Sequence, residues 1–211
     1  MNLRTLTLLA ALVPLLSGCF GAAVVGVGAG ALAYADRRLT EVQFTDEGIE
    51  IRAVNRISEK FGDRVHVNVT SYNRTVLLTG EVPDAAAKAE VEKVVAGVQN
   101  VKAISNELQV AGNSSLSSRS NDVYLTSKVK ARFIDANRFA ANHVKVVTED
   151  AVVFLMGLVT HAESAAAVEI ARTTGGVKKV VRVFEIISDA EARRLSPPPA
   201  PAEKPAGKPA Q

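Results

Sequence analysis

Tryptophan is absent from the 211 residues, and aromatic residues together make up only 5%. Large aromatic anchors are therefore few, and a core has to be built mainly from Val, Leu, Ile and Ala. There is one cysteine, Cys19, which excludes an intramolecular disulfide and any cysteine-rich metal cluster. A strong charge of one sign is also missing. The formal charge is +3, and +2 without the first 18 residues, where Arg4 is the charged group. So mild a balance argues against bulk nucleic-acid binding and leaves basic function to a local patch. The three histidines, His66, His143 and His161, are not spaced as metal ligands. No nucleophile elbow or phosphate loop appears, and the glycines of residues 26–30 do not lead from a strand into a capped helix. No catalytic site, metal centre or cofactor is expected, and the chain reads as non-enzymatic.

What is present begins with repetition. At 47% apolar and 22% charged residues the chain is globular in character. Shifted by 77 positions, it matches itself at His66/His143, Val67/Val144, Val69/Val146, Val76/Val153, Leu78/Leu155, Gly80/Gly157, Val82/Val159 and Ala85/Ala162. Each copy reads as helix, strand, turn, strand, helix, strand. In the first copy a helix over 48–61 directs Val54, Ile57 and Phe61 inward. A strand over 65–70 then alternates Val65, Val67 and Val69 with His66, Asn68 and Thr70, the period of a half-buried strand. Residues 72–74 turn the chain, and a return strand runs over 75–80. Pro83-Asp84 starts a helix by fixing φ and offering a cap, and a last strand spans 101–110. In the second copy His143 takes the outward strand position equivalent to His66, and the return strand covers 151–157. Thr160 and Glu163 have the spacing of a capping box, and the last strand spans 177–187. A hairpin followed by a helical crossover implies a mixed three-stranded sheet with both helices on one face. The fold class is α+β, with two tandem αββαβ units at 46–110 and 121–188. The polar stretch 111–120 reads as a linker. Apolar residues on both faces of the strand around Phe154-Leu155 imply that the second sheet covers something further, a role the first unit can fill.

Both ends carry a different signal. Arg4 precedes the apolar run Leu6 to Leu16, which is too short for an ordinary membrane span but has the proportions of a signal-peptide h-region. Leu16-Ser17-Gly18-Cys19 follows. This resembles the lipobox of bacterial lipoproteins, which implies a signal peptide over 1–18 and acylation of Cys19. Several acyl chains at about 0.8 kcal/mol per buried CH₂ anchor a protein essentially permanently. By the same resemblance, Phe20 in place of an Asp implies sorting to the outer membrane. Residues 19–45, rich in Gly and Ala at the start, read as a lipidated tether spanning about 30 Å as a coil, so the folded part can reach back to the bilayer. At the other end, 189–211 is expected to be a tail, Pro/Ala-rich and disordered from about 196.

The stretch 121–135 carries the functional expectation. It reads as an amphipathic helix capped by Asn121 or Asp122, with Leu125, Val129 and Phe133 forming one buried stripe. At about 100° per residue, Val123, Tyr124 and Ile134 fall roughly 120–140° away from Val129. Lys128, Lys130 and Arg132 border that outer surface. Apolar groups ringed by basic ones suit the headgroup layer of an anionic membrane. Packing against another domain of the chain is the alternative. The first copy's helix differs: its outer face carries Arg52, Asn55, Arg56, Glu59 and Lys60, with Ile49 the one apolar member.

These features together resemble a known family. The tandem αββαβ pair, with glycines at Gly80 and Gly157 and Gly-Val pairs at Gly97-Val98 and Gly176-Val177, is similar to the BON domain. The run Val153-Phe154-Leu155-Met156-Gly157-Leu158-Val159-Thr160, together with the lipobox, looks like the dual-BON outer-membrane lipoproteins. That resemblance implies a lipid-anchored protein of the outer membrane facing the periplasm. It also implies binding of an anionic phospholipid membrane through the first helix of the second unit, and a role in cell-envelope integrity. Its aromatic anchor falls on Tyr124, where tyrosine stands in place of the family's tryptophan. The phospholipid-binding set is thus Val123, Tyr124, Lys128, Lys130, Arg132 and Ile134. An adaptor for envelope protein partners is the competing reading.

Overall fold

A computed structural model describes residues 36–112 and 115–196. Cys19 and its lipobox, most of the expected tether and the tail beyond Ser196 lie outside these residues. The described elements, in order, are α1 (Thr40–Phe61), β1 (His66–Tyr72), β2 (Thr75–Val82), α2 (Ala85–Ala96), β3 (Ala103–Asn106), β4 (Gln109–Val110), α3 (Leu116–Ala136), β5 (Lys145–Glu149), β6 (Val152–Val159), α4 (His161–Arg172), β7 (Lys179–Ile186) and α5 (Asp189–Leu195).

The αββαβ order holds in both copies. β1 and β2 pair antiparallel, β3 and β4 add parallel to β2, and β5-β6-β7 repeat the arrangement. The expected last strand of the first copy is broken between β3 and β4 by Glu107 and Leu108, and Leu108 turns into the core. Both hairpins turn on two residues of positive φ, Asn73-Arg74 and Asp150-Ala151. That is the turn whose twist matches the flanking strands. The same device stabilises each. The Asp46 carboxylate on α1 accepts the amides of Asn73 and Arg74 at 2.8 and 2.7 Å. The Asp122 carboxylate on α3 accepts those of Asp150 and Ala151 at 3.0 and 2.8 Å. The repeated glycines have a steric reason. A Cβ on Gly80 would stand 2.1 Å from the carbonyl oxygen of His66, and one on Gly157 would stand 2.3 Å from that of His143.

Several expectations shift. α1 begins at Thr40 rather than near residue 48, and its buried stripe is Ile49, Ala53, Ile57 and Phe61, at four-residue steps. Ile49 is therefore core rather than the outer apolar group, and Val54, one position round from Ala53, is exposed. α3 begins at Leu116, inside the stretch read as linker. Its cap is Ser115, whose Oγ accepts the Ser118 amide at 3.2 Å, not Asn121 or Asp122. Its first turns are mostly serine and carry no apolar stripe to betray a helix. His143 lies in a short 3₁₀ turn just before β5 and is buried, so it is not an outward strand residue. Residues 189–195, assigned to the tail, form α5, capped by Ser188. The Pro83-Asp84 start and the Thr160/Glu163 capping box form as expected.

Helices cover the outer face of each sheet. The first core joins Ile49, Ala53, Ile57 and Phe61 to Val76, Leu78, Val91 and Val95. The second joins Val129 and Phe133 to Val153, Leu155, Ala167 and Ile170. The inner faces meet each other. Tyr72 and Leu77 of the first unit pack with Phe154, Met156 and Leu158 of the second, sealed by Ile187 and by Ala192 of α5. Strand alternation makes this possible, because Leu77 points opposite to Val76 and Leu78, and Phe154 opposite to Val153 and Leu155. The second sheet does cover the first.

Just before α1, Arg37 reaches into the second unit and is buried. Its guanidinium donates to both carboxylate oxygens of Glu163 at 2.7 and 2.9 Å, and to the Leu158 carbonyl at 2.8 Å. Residues 36–39 thus belong to the folded part rather than to the tether. Burial raises the Glu163 carboxyl, but the Arg37 hydrogen bonds and the Thr160 amide outweigh it and hold the group below the usual carboxylate range. Beside it, burial and then the Arg37 charge push the His143 imidazole below its usual 6.5, although Glu163 acts the other way. His143 Nδ1 stands 3.6 Å from Glu163 and has no hydrogen-bond partner. The unfolded chain therefore takes up the His143 proton before the folded one does, and stability must fall as pH drops below about 6.5. In His143→Gln the decline between neutrality and pH 5 should flatten, which urea midpoints measured at successive pH values will show.

Candidate functional site: the outer face of α3

α3 is fastened to the second unit along one side. Leu125, Val129 and Phe133 are buried, and Phe133 meets Phe139 edge-on with ring centroids 5.0 Å apart. Gly176, at φ +102°, leaves room for Leu125, whose Cδ2 would stand 2.9 Å from a Cβ there. Thr126 donates to Thr148 of β5 at 2.8 Å. Asn137, in left-handed conformation, closes the C-terminus, its amide pointing to the Phe133 and Ile134 carbonyls.

The other side is bare. Val123 is 69% exposed, Tyr124 62% and Ile134 67%. The helix phase brings all three onto one surface, with Ser127 and Ala131 between them. None is covered by the first unit, so packing within the described chain does not explain them. Ordinary surfaces carry scattered apolar groups, whereas a cluster on one helix face marks an interaction surface.

The three cations differ in how they stand. Lys130 is exposed beside Val123 and Ile134. Lys128 donates to the Gly175 carbonyl at 3.0 Å, with its ammonium 5.8 Å from the Tyr124 ring centroid. It thereby braces the tyrosine, a cation–π arrangement. Arg132 is half-buried, and its guanidinium donates to the Ile170 carbonyl and to Thr174 Oγ1 at 2.9 and 2.7 Å, and to Thr173 Oγ1 at 3.1 Å. Arg132 thus serves the C-terminal end of α4, where a cation is favoured by unpaired carbonyls. Its charge borders the face, but its side chain is committed to the fold.

α1 also exposes apolar groups. Arg52, Asn55, Arg56, Glu59 and Lys60 are exposed as expected, but so are Phe44, Ile51 and Val54, along with the N-cap Leu39. No helix among the described residues is long and apolar enough to cross a membrane.

Comparison with known proteins agrees with the architecture. The BON domain pattern matches residues 52–112 and 121–188. The Outer membrane lipoprotein DolP of Haemophilus influenzae is 35% identical over 187 residues, 88% of this chain and 97% of that protein. The 21 kDa hemolysin of Actinobacillus pleuropneumoniae is 32% identical over 72% of this chain and 79% of its own length. Osmotically-inducible protein Y of Escherichia coli is 36% identical over 54% of this chain and 58% of its own length. With two matched units in the αββαβ order and a relative aligned over almost its whole length, this chain belongs to the BON family and carries two BON domains.

Proposed function

We propose that the protein is a non-enzymatic, outer-membrane lipoprotein that faces the periplasm, is anchored through acylated Cys19, and grips anionic phospholipid with the outer face of α3, supporting outer-membrane integrity. The joint exposure of Val123, Tyr124 and Ile134 next to Lys128 and Lys130 carries the reading. Its relative in Haemophilus influenzae bears the name of an outer membrane lipoprotein, and the lipobox at Cys19 supplies the attachment chemistry. Tyrosine suits this position because its ring is apolar while its hydroxyl stays wet. Each lysine near an anionic surface adds up to about 1 kcal/mol, screened by salt.

The test uses the full chain carrying Cys19→Ala, so that acylation does not mask the helix. It should pellet with phosphatidylglycerol vesicles and not with phosphatidylcholine vesicles, and pelleting should fade as salt rises. Lys130→Glu should weaken it roughly 5- to 30-fold at low salt, since one attraction becomes a repulsion. Pelleting that ignores headgroup charge and this substitution would remove the helix from the function.

The exposed Phe44, Ile51 and Val54 on α1, with its N-cap Leu39, favour a second reading, an adaptor docking an envelope protein partner. An adaptor keeps its protein ligand without lipid and at salt concentrations that release the vesicles.

A further inference from the structure

Between the two BON domains, β1, β2 and β5 bring His66, Glu81 and Glu149 together. Their nearest donor atoms all lie within 4.8 Å of one another. His66 Nδ1 is 2.8 Å from Glu81 Oε2, and Glu149 Oε2 accepts from Asn68 Nδ2 at 2.8 Å. Glu81 and Glu149 are each only 6% exposed. Two carboxylates held this close and out of water repel each other and lose hydration, a costly arrangement without a counter-charge. Glu81 is paired with the His66 imidazole, which supplies at most a single positive charge for the two carboxylates. An open groove of about 500 Å³ adjoins them, lined by His66, Asn68, Arg119, Thr126 and Glu149 among others.

We propose that His66, Glu81 and Glu149 bind a divalent transition-metal ion of the Zn²⁺ class, clipping the first BON domain to the second. One imidazole nitrogen and two carboxylate oxygens suit such an ion, whereas Ca²⁺ takes six to eight oxygens. Nitrogen and oxygen ligands at the usual zinc distances in a tetrahedron stand roughly 3.3–3.6 Å from one another, so modest side-chain shifts close the set. The metal takes the place of the hydrogen bond between His66 Nδ1 and Glu81 Oε2. Asn68 Nδ2 donates to Glu149 Oε2 and so fixes that carboxylate's orientation, and the groove has room for the water that completes coordination. The donors come from positions 66, 81 and 149, a separation with no linear metal motif, which is why no spacing in the sequence announces them.

Equilibrium dialysis of the full, untagged chain carrying Cys19→Ala, against ZnCl₂ without lipid, tests this independently of the membrane reading. One Zn²⁺ per chain is expected, and the ion at 100 times its Kd should raise Tm by about 5 °C or more, reversibly with EDTA. Glu149→Gln, Glu81→Gln and His66→Ala should each weaken binding tenfold or more, while His161→Ala leaves it unchanged. The two glutamine variants relieve the carboxylate repulsion, so they remain folded and informative if His66→Ala does not. No zinc retained at 1 mM, or zinc retained equally by both glutamine variants, overturns the proposal.

Discussion

Arg37→Ala is expected to destabilise the folded unit by about 3–5 kcal/mol, the usual cost of removing one partner from a buried ion pair. For a unit of this size that corresponds to a Tm lower by roughly 6–20 °C. The reason is the company Arg37 keeps. Its guanidinium satisfies both oxygens of Glu163 and the Leu158 carbonyl, and together with the Thr160 amide it holds the Glu163 carboxyl below the usual carboxylate range. Without it, Glu163 faces His143, whose imidazole is driven towards neutrality by burial. The double variant Arg37→Met/Glu163→Gln should recover part of the loss, because no unpaired charge remains and glutamine can still close the capping box. Urea unfolding of the three proteins checks this. An Arg37→Ala protein as stable as the parent would mean that the segment before α1 does not hold the second domain.

The second large effect concerns the membrane. Tyr124→Ala combined with Ile134→Ala removes two of the three exposed apolar groups on α3. Burying a large apolar side chain is worth about 1.5–3 kcal/mol. Alanine retains some of that, and insertion at an interface is partial, so the pair should cost about 2–4 kcal/mol of vesicle binding, roughly 30- to 1,000-fold. Both side chains are solvent-facing, so Tm should stay within a degree or two of the parent. That separation of binding from stability distinguishes a contact surface from a misplaced core. If the double alanine variant pellets as well as the parent, the lipid contact lies elsewhere, and the apolar row on α1 becomes the next surface to substitute.

Much of the architecture is legible in the chain because it rests on short-range periodicity. Val65, Val67 and Val69 alternate as a half-buried strand must, and Thr160 and Glu163 are spaced for their cap. The exposure of Val123, Tyr124 and Ile134 follows from Leu125, Val129 and Phe133 fixing the helix phase. The same logic misjudged α1, where the buried stripe includes the small Ala53. The bulkier Val54 looks like a better core residue but sits about 100° round the helix. The serine-rich start of α3 carries no apolar period, so capping by Ser115 was invisible to a search for one. Least legible are polar side chains whose partners lie far along the chain. Asp46 and Asp122 read as helix-surface acids or caps until the hairpin turns arrive above them. Arg37 looks like part of a tether until Glu163 and Leu158 meet it. Arg132 looks like a membrane-facing cation until α4 ends beside it. Each depends on tertiary contacts of 27 residues or more in separation, the nearest being Asp46 to Asn73, which no local window contains.

The missing tryptophan makes the most direct test possible. In the full chain carrying Cys19→Ala and Tyr124→Trp, the single indole stands on the outer face of α3 and reports its own surroundings. Phosphatidylglycerol vesicles should shift its emission to shorter wavelength and brominated acyl chains should quench it, while phosphatidylcholine vesicles leave it unchanged. Emission that stays that of a water-exposed indole while the protein is bound to the anionic vesicles would contradict the account, because the protein would then be held on the membrane by a surface other than the outer face of α3.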